Sequence, residues 1–196
     1  MRISGGTLRG RVLAVAPASR PTEAKVRQAL FSIWMDVLDG ARVLDLFAGS
    51  GAVAIEAISR GALEAVVVES DRAAQAILRR NLALVSPGSA RLLARPAEAA
   101  LEELAAAGER FDLVFADPPY RLPMDEEFLE RCAAVLAADG RLALEHRARV
   151  ATPPLAGRLV RTATRRYGES ALSFYGRSEA ITIPSDAPAR HFRRTG

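Results

Sequence analysis

Short apolar runs alternate with helix-like segments through the middle of this 196-residue chain. The strand candidates are residues 42–46, 64–68, 90–94, 111–115 and 141–145, and the helical segments between them are 52–60, 71–85, 97–107 and 124–137. This alternation predicts an α/β fold with a parallel sheet, because parallel strands need long crossovers and helices usually provide them. Residues 159–167 and 171–175, joined by a short Gly-Glu-Ser link, predict a terminal antiparallel hairpin.

The fourth strand candidate ends abruptly in Asp117-Pro118-Pro119-Tyr120. Two prolines cannot continue a central strand, so the backbone must turn there. Asp117 and Tyr120 are therefore predicted at the carboxyl edge of the sheet, where open α/β sheets bind ligands. The Asp117 carboxylate and the Pro118 carbonyl can accept both N–H bonds of an exocyclic amine, and Tyr120 can stack on the ring. The tetrapeptide alone is equally compatible with an ordinary strand-to-helix turn.

A glycine loop follows the first strand candidate, in Asp45-Leu-Phe-Ala-Gly-Ser-Gly51. It lacks the G-x-G-x-x-G spacing and a following lysine, so it does not indicate a phosphate-cradling loop. It suits a ligand with an amino-acid end and no phosphate, such as S-adenosylmethionine. Glu69 ends the second strand candidate, where an acid commonly binds ribose hydroxyls. The candidate cofactor-binding residues are Asp45, Phe47, Ala48, Gly49, Ser50, Gly51 and Glu69.

The glycine loop and Asp-Pro-Pro-Tyr, in this order, resemble class I S-adenosylmethionine-dependent methyltransferases that act on an amino nitrogen. The flanking segments resemble the RsmD family of 16S rRNA guanine-N2 methyltransferases over residues 2–12, 20–22, 26–31, 56–62 and 166–168. The resemblance implies a Rossmann-like fold with a mostly parallel seven-stranded sheet, a C-terminal antiparallel hairpin and a small N-terminal extension.

In function, the resemblance implies methylation of the exocyclic N2 amine of a guanine in 16S rRNA of the small ribosomal subunit. The implied catalytic residues are Asp117, Pro118, Pro119 and Tyr120. One departure follows the third strand candidate, where the family often has an acid near the adenine and this chain has Ala94-Arg95-Pro96. Glu98 could substitute for that acid.

We expect three segments along the chain: a basic arm or hairpin over residues 1–21, a methyltransferase domain, implied by the resemblance, over 22–177, and a basic tail over 178–196. Residues 1–20 contain four arginines and no acid, and residues 141–196 contain eleven arginines and four acids. Basic ends favour an anionic partner. The RNA-binding candidates are Arg9, Arg11 and Arg20.

The composition of the chain limits the compartment and the kinds of ligand that we expect for it. The one cysteine, Cys132, allows no internal disulfide and fits a reducing compartment. Cys132, His146 and His191 are scattered without metal-ligand spacing. No charge-free apolar stretch of about 18 residues predicts a membrane span, and the polar N-terminus does not resemble a signal peptide. We therefore expect a cytoplasmic monomer that binds no metal and no membrane.

Two other functions stay open. Asp-Pro-Pro-Tyr also suits a DNA adenine-N6 methyltransferase, although 196 residues leave little room for a target-recognition segment. A noncatalytic RNA-binding or assembly factor with a relic cofactor site is the other, and the intact Asp117 and glycine loop argue against it.

Overall fold

An eight-stranded sheet forms the centre of the computed structural model, which describes residues 1–15, 24–119, 122 and 124–178. The strands are β1 (Arg42–Leu46), β2 (Glu64–Val68), β3 (Ala90–Leu93), β4 (Phe111–Ala116), β5 (Leu136–Arg147), β6 (Leu155–Ala156), β7 (Leu159–Tyr167) and β8 (Ser170–Arg177). Their order is β3-β2-β1-β4-β5-β8-β7-β6. Strands β1 to β5 pair in parallel, and β8, β7 and β6 continue the sheet in antiparallel pairing. The predicted α/β fold with a C-terminal antiparallel hairpin is thus confirmed.

Helices cover both faces of the sheet. They are α1 (Ala24–Trp34), extended by a 3-10 turn (Met35–Val37), α2 (Ala52–Ser59), α3 (Arg72–Leu82), α4 (Ala97–Ala106) and α5 (Glu126–Val135). Apolar residues of α1, α2 and α3 pack on one face, and those of α4 and α5 pack on the other. No helix in the described part of the chain has the length and apolar character needed to cross a bilayer.

The sheet differs from the sequence prediction at its C-terminal side. It has eight strands instead of seven, because the two-residue strand β6 pairs with the start of β7 and is too short to show an alternating pattern. Strand β5 begins at Leu136 instead of residue 141, directly after α5 ends at Val135. The pairing partners jump from Phe111↔Leu136 to Leu113↔Arg141, so an irregularity accommodates the extra residues.

The N-terminal residues pack on α2 and form a single antiparallel bridge, Arg2↔Val12, instead of a ladder. The backbone N–H of Thr7 donates to the Ser59 carbonyl at 2.7 Å. Gly6 has φ +74°, and a Cβ at this position would lie 1.8 Å from the Ser59 oxygen. Only glycine therefore allows the chain to approach α2 this closely.

Glu56 of α2 fixes this arrangement from the inside. Its side chain is fully buried, and its Oε2 lies 2.9 Å from Arg27 Nε of α1. Ser4 donates from its backbone N–H at 3.2 Å and also from its hydroxyl, and Arg60 donates at 2.7 Å. Burial alone would raise the pKa of Glu56, but the hydrogen bonds from Ser4, Arg60 and Arg27 outweigh it and lower the pKa. The carboxylate is therefore the ionised centre that joins the N-terminal residues to two helices.

We expect Glu56→Ala to destabilise the fold by about 3 kcal/mol or more at neutral pH, because it leaves the Arg27 cation buried without its partner. Urea unfolding measures this difference. Because the pKa of Glu56 is lowered in the folded state, its stabilising contribution is present above the unfolded-state pKa and is lost as the pH falls, so the difference from wild type should shrink in acid.

Glu102→Ala is the matched control, since Glu102 pairs with Arg131 on the surface. Exposed pairs contribute about 1 kcal/mol or less. Equal losses in the two variants would contradict the central role of Glu56.

Candidate active site

Four carboxylates lie at or just after the carboxyl ends of four neighbouring parallel strands: Glu69 after β2, Asp45 near the end of β1, Asp117 after β4 and Glu145 near the end of β5. Side chains alternate between the two faces of a strand. Each of the four comes two residues after a core residue that packs on the α1–α3 face, namely Val67, Val43, Phe115 and Ala143. The sheet therefore places an acidic row along one side of its carboxyl edge.

Asp45 lies at the centre of this row and is only 2% exposed. Its Oδ2 accepts a hydrogen bond from the backbone N–H of Ala54 at 3.2 Å. Burial, with smaller contributions from the charges of Asp117 and Glu69, raises the pKa of Asp45 to about 8 against the effect of that hydrogen bond. A cation bound at this edge would favour the ionised form of Asp45.

Glu69 clamps the glycine loop. Its Oε2 accepts from the Gly49 N–H at 2.9 Å, and its Oε1 accepts from the Asp71 N–H at 2.8 Å. Asp71 in turn caps α3 by accepting from the Ala74 N–H, as its position in the sequence predicts. A carboxylate offers about four acceptor sites. Glu69 can therefore hold the loop and still accept hydroxyl groups from a ligand.

The two loop glycines serve different needs. Gly51 has φ +76°, and a Cβ there would lie 2.5 Å from the Leu78 side chain of α3. Gly49 has φ +54°, and a Cβ there would meet nothing within 4 Å. Phe47 is also in the left-handed region, at φ +65°, and its ring packs 6.2 Å from that of Phe128. The loop thus combines one tightly packed glycine with one that faces open space.

Asn81 of α3 connects the loop to the N-terminal residues. Its side-chain amide donates to the Ser50 carbonyl at 2.8 Å and to the Ala14 carbonyl at 2.9 Å. Its Oδ1 accepts from the Ala14 N–H at 3.0 Å, and the residue is only 3% exposed. The sequence prediction did not include Asn81, although a buried-face position on an amphipathic helix is an unusual place for an amide.

A cavity of about 820 Å³ opens beside Pro118 and Pro119, within the size range of ligand sites. Its other walls come from Met124 and Asp125 just before α5, from the end of β5, and from residues 149–153 of the following loop. Asp117 is partly exposed beside it, and Glu145 contributes to the lining. The sequence prediction omitted Glu145, which is the last residue of the fifth strand candidate.

A hydrogen-bonded chain holds the loop wall of the cavity. His146 Nδ1 lies 2.9 Å from the Arg147 carbonyl, which can only accept, so Nδ1 carries the proton. Nε2 then accepts from the Ser173 hydroxyl at 2.9 Å, and Thr152 donates to the same hydroxyl at 3.0 Å. Arg161 donates to Thr152 at 3.0 Å. Burial lowers the pKa of His146, which favours this neutral form.

Of the remaining functional candidates from the sequence, some lie within the described residues and others lie outside them. Arg9 and Arg11 are exposed on the N-terminal segment, whereas Arg20 and Tyr120 lie outside the described residues. Arg95 pairs with Glu103, and Glu98 is half-buried in the first turn of α4. Cys132 is buried, and burial raises the pKa of its thiol, so it is not an activated nucleophile. Among the residues described, no cluster of His, Cys, Asp or Glu could hold a metal ion.

Comparison with known proteins adds independent information. A family model described as "Conserved hypothetical protein 95" matches residues 1–176. The "Ribosomal RNA small subunit methyltransferase D" of Escherichia coli is 43% identical over 129 residues, which are 65% of this chain and 64% of that relative. The "Putative rRNA methyltransferase YlbH" of Bacillus subtilis is 36% identical over 185 residues, which are 89% of this chain and 98% of that protein.

A solved structure is also similar to this one. A putative methyltransferase from Escherichia coli matches with a TM-score of 0.77 and 32% identity, covering 90% of this chain and 97% of its own. The family model spans the glycine loop, Asp117 and the cavity. The methyltransferase fold and the candidate site therefore lie within the matched region.

We expect the wild type to lose stability relative to Asp45→Asn as the pH rises from about 4 to 8. Above pH 8 the difference in unfolding free energy between the two proteins should stay constant. The folded state keeps a proton on Asp45 that the unfolded state has already released, so the slope approaches about 1.4 kcal/mol per pH unit. Urea unfolding across the pH series tests this, with the exposed Asp139→Asn as the matched control. Parallel profiles for the wild type and Asp45→Asn would show that Asp45 does not titrate this way.

Asn81→Ala should loosen two distant segments together, because one side chain holds both Ser50 and Ala14. Amide hydrogen exchange should become faster in peptides spanning residues 46–52 and 10–15. Arg80→Ala, at an exposed position of the same helix, is the control and should leave both unchanged. Faster exchange in only one of the two segments would argue against a shared anchor.

Proposed function

The chain belongs to the RsmD family, whose model covers residues 1–176, and from this membership we propose that it methylates the exocyclic N2 amine of a guanine in 16S rRNA. The rRNA substrate is supported by the names of two relatives, and the guanine-N2 target by the motif resemblance. The observation that carries the chemistry is the acidic row beside Asp117-Pro118 and its cavity.

The residues of the sheet edge fit S-adenosylmethionine. When bound, this cofactor supplies an electrophilic methyl group on a sulfonium, and transfer to nitrogen breaks the C–S bond, leaves a neutral thioether and releases one amine proton. Glu69 would hold the ribose hydroxyls while it keeps its hydrogen bond to Gly49. The open side of Gly49 would leave room for the methionine end. The added positive charge would lower the raised pKa of Asp45 and favour its ionised form.

The acceptor amine is held on the other side of the site. The Asp117 carboxylate and the Pro118 carbonyl accept its two N–H bonds, which orients the nitrogen lone pair towards the methyl group. Asp117 offsets the positive charge that develops on nitrogen and takes the released proton. Tyr120 stacks on the base after it leaves its helical stack. Cys132 has no part in the reaction, since it is buried and its pKa is raised.

The RNA backbone is proposed to contact the basic arm through Arg9, Arg11 and Arg20, outside the catalytic domain that we assign to residues 22–177. Two of these arginines are exposed on residues that Glu56 and Asn81 fix against the domain. The basic tail, residues 178–196, adds charge of the same sign. In this proposal the protein acts as a cytoplasmic monomer on the small ribosomal subunit.

The direct test is incubation with labelled S-adenosylmethionine and undermethylated small ribosomal subunits, followed by mapping of the label. The proposal requires label on N2 of a guanine in 16S rRNA. Duplex DNA and subunit-free RNA are included in parallel. Label on adenine N6 of the DNA would establish the alternative activity, and cofactor binding without any transfer would establish a noncatalytic factor.

We expect Asp117→Ala to keep cofactor affinity within a few-fold and to lose about 10²–10³ in turnover, since it removes one preorganised contact to the reacting amine. Calorimetry measures binding, and single-turnover labelling of the subunits measures transfer. The exposed Asp139→Ala is the control for loss of a carboxylate. Near wild-type turnover in Asp117→Ala would remove Asp117 from the reaction.

A further inference from the structure

Glu145 is a buried carboxylate in the wall of the cavity, and the reaction proposed above gives it no role. It is 7% exposed and lies at the carboxyl end of β5. The last paired residues of β4 and β5 near this edge are Ala116 and Leu144, so Asp117 and Glu145 are the next residues on the two adjacent strands. Two carboxylates therefore stand side by side where the acceptor base would enter.

Asp125, His146 and Thr152, which also line the cavity, hold its walls in place through hydrogen bonds. Asp125 accepts from the Phe128 N–H at 3.0 Å and caps α5. Both ring nitrogens of His146 are engaged, and Thr152 belongs to the same hydrogen-bonded chain. Glu145 is thus the carboxylate of the described lining that stands beside Asp117 without serving as a helix cap.

The chemistry of the bases distinguishes what such a pair can bind. Guanine presents an N1–H donor next to its N2 amine, so its edge offers donors at adjacent positions. Adenine and cytosine present an unprotonated ring nitrogen next to their amine, which is an acceptor. An ionised carboxylate can only accept. Adjacent carboxylates at Asp117 and Glu145 therefore complement guanine and repel the ring nitrogen of the other two bases.

We propose that Glu145 is the specificity-determining residue of the site and selects guanine by accepting its N1–H hydrogen bond. This inference rests on the proposed function, since it takes the amine held by Asp117 as the methyl acceptor. Sites that read a donor on the substrate reject an analogue that lacks it, because the protein group is left unpaired. Glu145 thereby explains how one amine is chosen among chemically similar amines.

The test compares guanine with 2-aminopurine at the nucleotide that the wild-type protein labels, introduced by ligation of 16S rRNA and assembly into small subunits. 2-Aminopurine keeps the acceptor amine but has an unprotonated N1. The wild type should methylate guanine at least ten-fold faster, as kcat/KM. Equal rates for the two bases in the wild type would overturn the inference without any variant.

Glu145→Gln supplies the second arm, since glutamine has nearly the same shape and can donate to an unprotonated N1. It should lower kcat/KM for guanine by about 10- to 100-fold, the effect of losing a charged hydrogen bond. The guanine-to-2-aminopurine ratio should fall in parallel, while cofactor affinity stays within two-fold. Glu126→Gln, at an exposed position of α5, is the control and should keep the wild-type ratio.

The possible outcomes distinguish a failure of the Glu145 assignment from a failure of the proposed function. A wild type that labels guanine, with a ratio unchanged in Glu145→Gln, would overturn the assignment of Glu145 and leave the proposed function standing. A large loss of cofactor affinity in Glu145→Gln would place the residue at the cofactor and overturn the assignment as well. A wild type that labels neither base would overturn the proposed function and this inference with it.

Discussion

The burial of Asp45 beside other carboxylates at one edge of the sheet is the constraint around which the site is built. Parallel pairing brings the ends of β2, β1, β4 and β5 together, so Glu69, Asp45 and Asp117 influence one another. Burial of Asp45 is the main cause of its raised pKa, and the charges of Asp117 and Glu69 add to it. A positively charged ligand lowers that pKa, which makes the unliganded edge electrostatically prepared for a sulfonium and selective against anions.

The scaffold holds this edge through contacts that are distant in sequence. Glu69 fixes the glycine loop at Gly49, and Asn81 fixes it again at Ser50. Asn81 also holds Ala14, and Glu56 anchors Ser4, so the N-terminal residues are tied to the domain at two points. The arm that carries Arg9 and Arg11 therefore shares its support with the glycine loop. We therefore expect a change in the arm to alter the glycine loop as well, because residues of the packed helices α2 and α3 hold both segments.

The sequence predicted the elements whose signals are local. The bounds of β1 and β2 agree with the structure, because continuous apolar runs followed by a glycine or an acid are typical of buried parallel strands. Strand ends also predicted the neighbourhood of Asp45, Glu69 and Asp117. Glu145 and Asn81 were missed because their importance comes from partners on other elements, at positions that no spacing rule connects. Strand β6 was missed because two residues are too few to show the alternation of side chains that indicates a strand.

In the proposed reaction, the distribution of charge would favour entry of a base and keep the phosphates that accompany it away from the centre of the site. The acidic row repels anions from that centre. Arg147 and Arg149 line the cavity next to the partly exposed Asp117 and the buried Glu145, and Arg161 supports its loop. Phosphates are attracted to these cations, whereas a neutral, donor-rich base edge is attracted to the carboxylates. In the proposed reaction, extrusion of a single nucleotide into the site would separate those two parts of the substrate, and the opposite charges of wall and centre would favour that separation before methyl transfer.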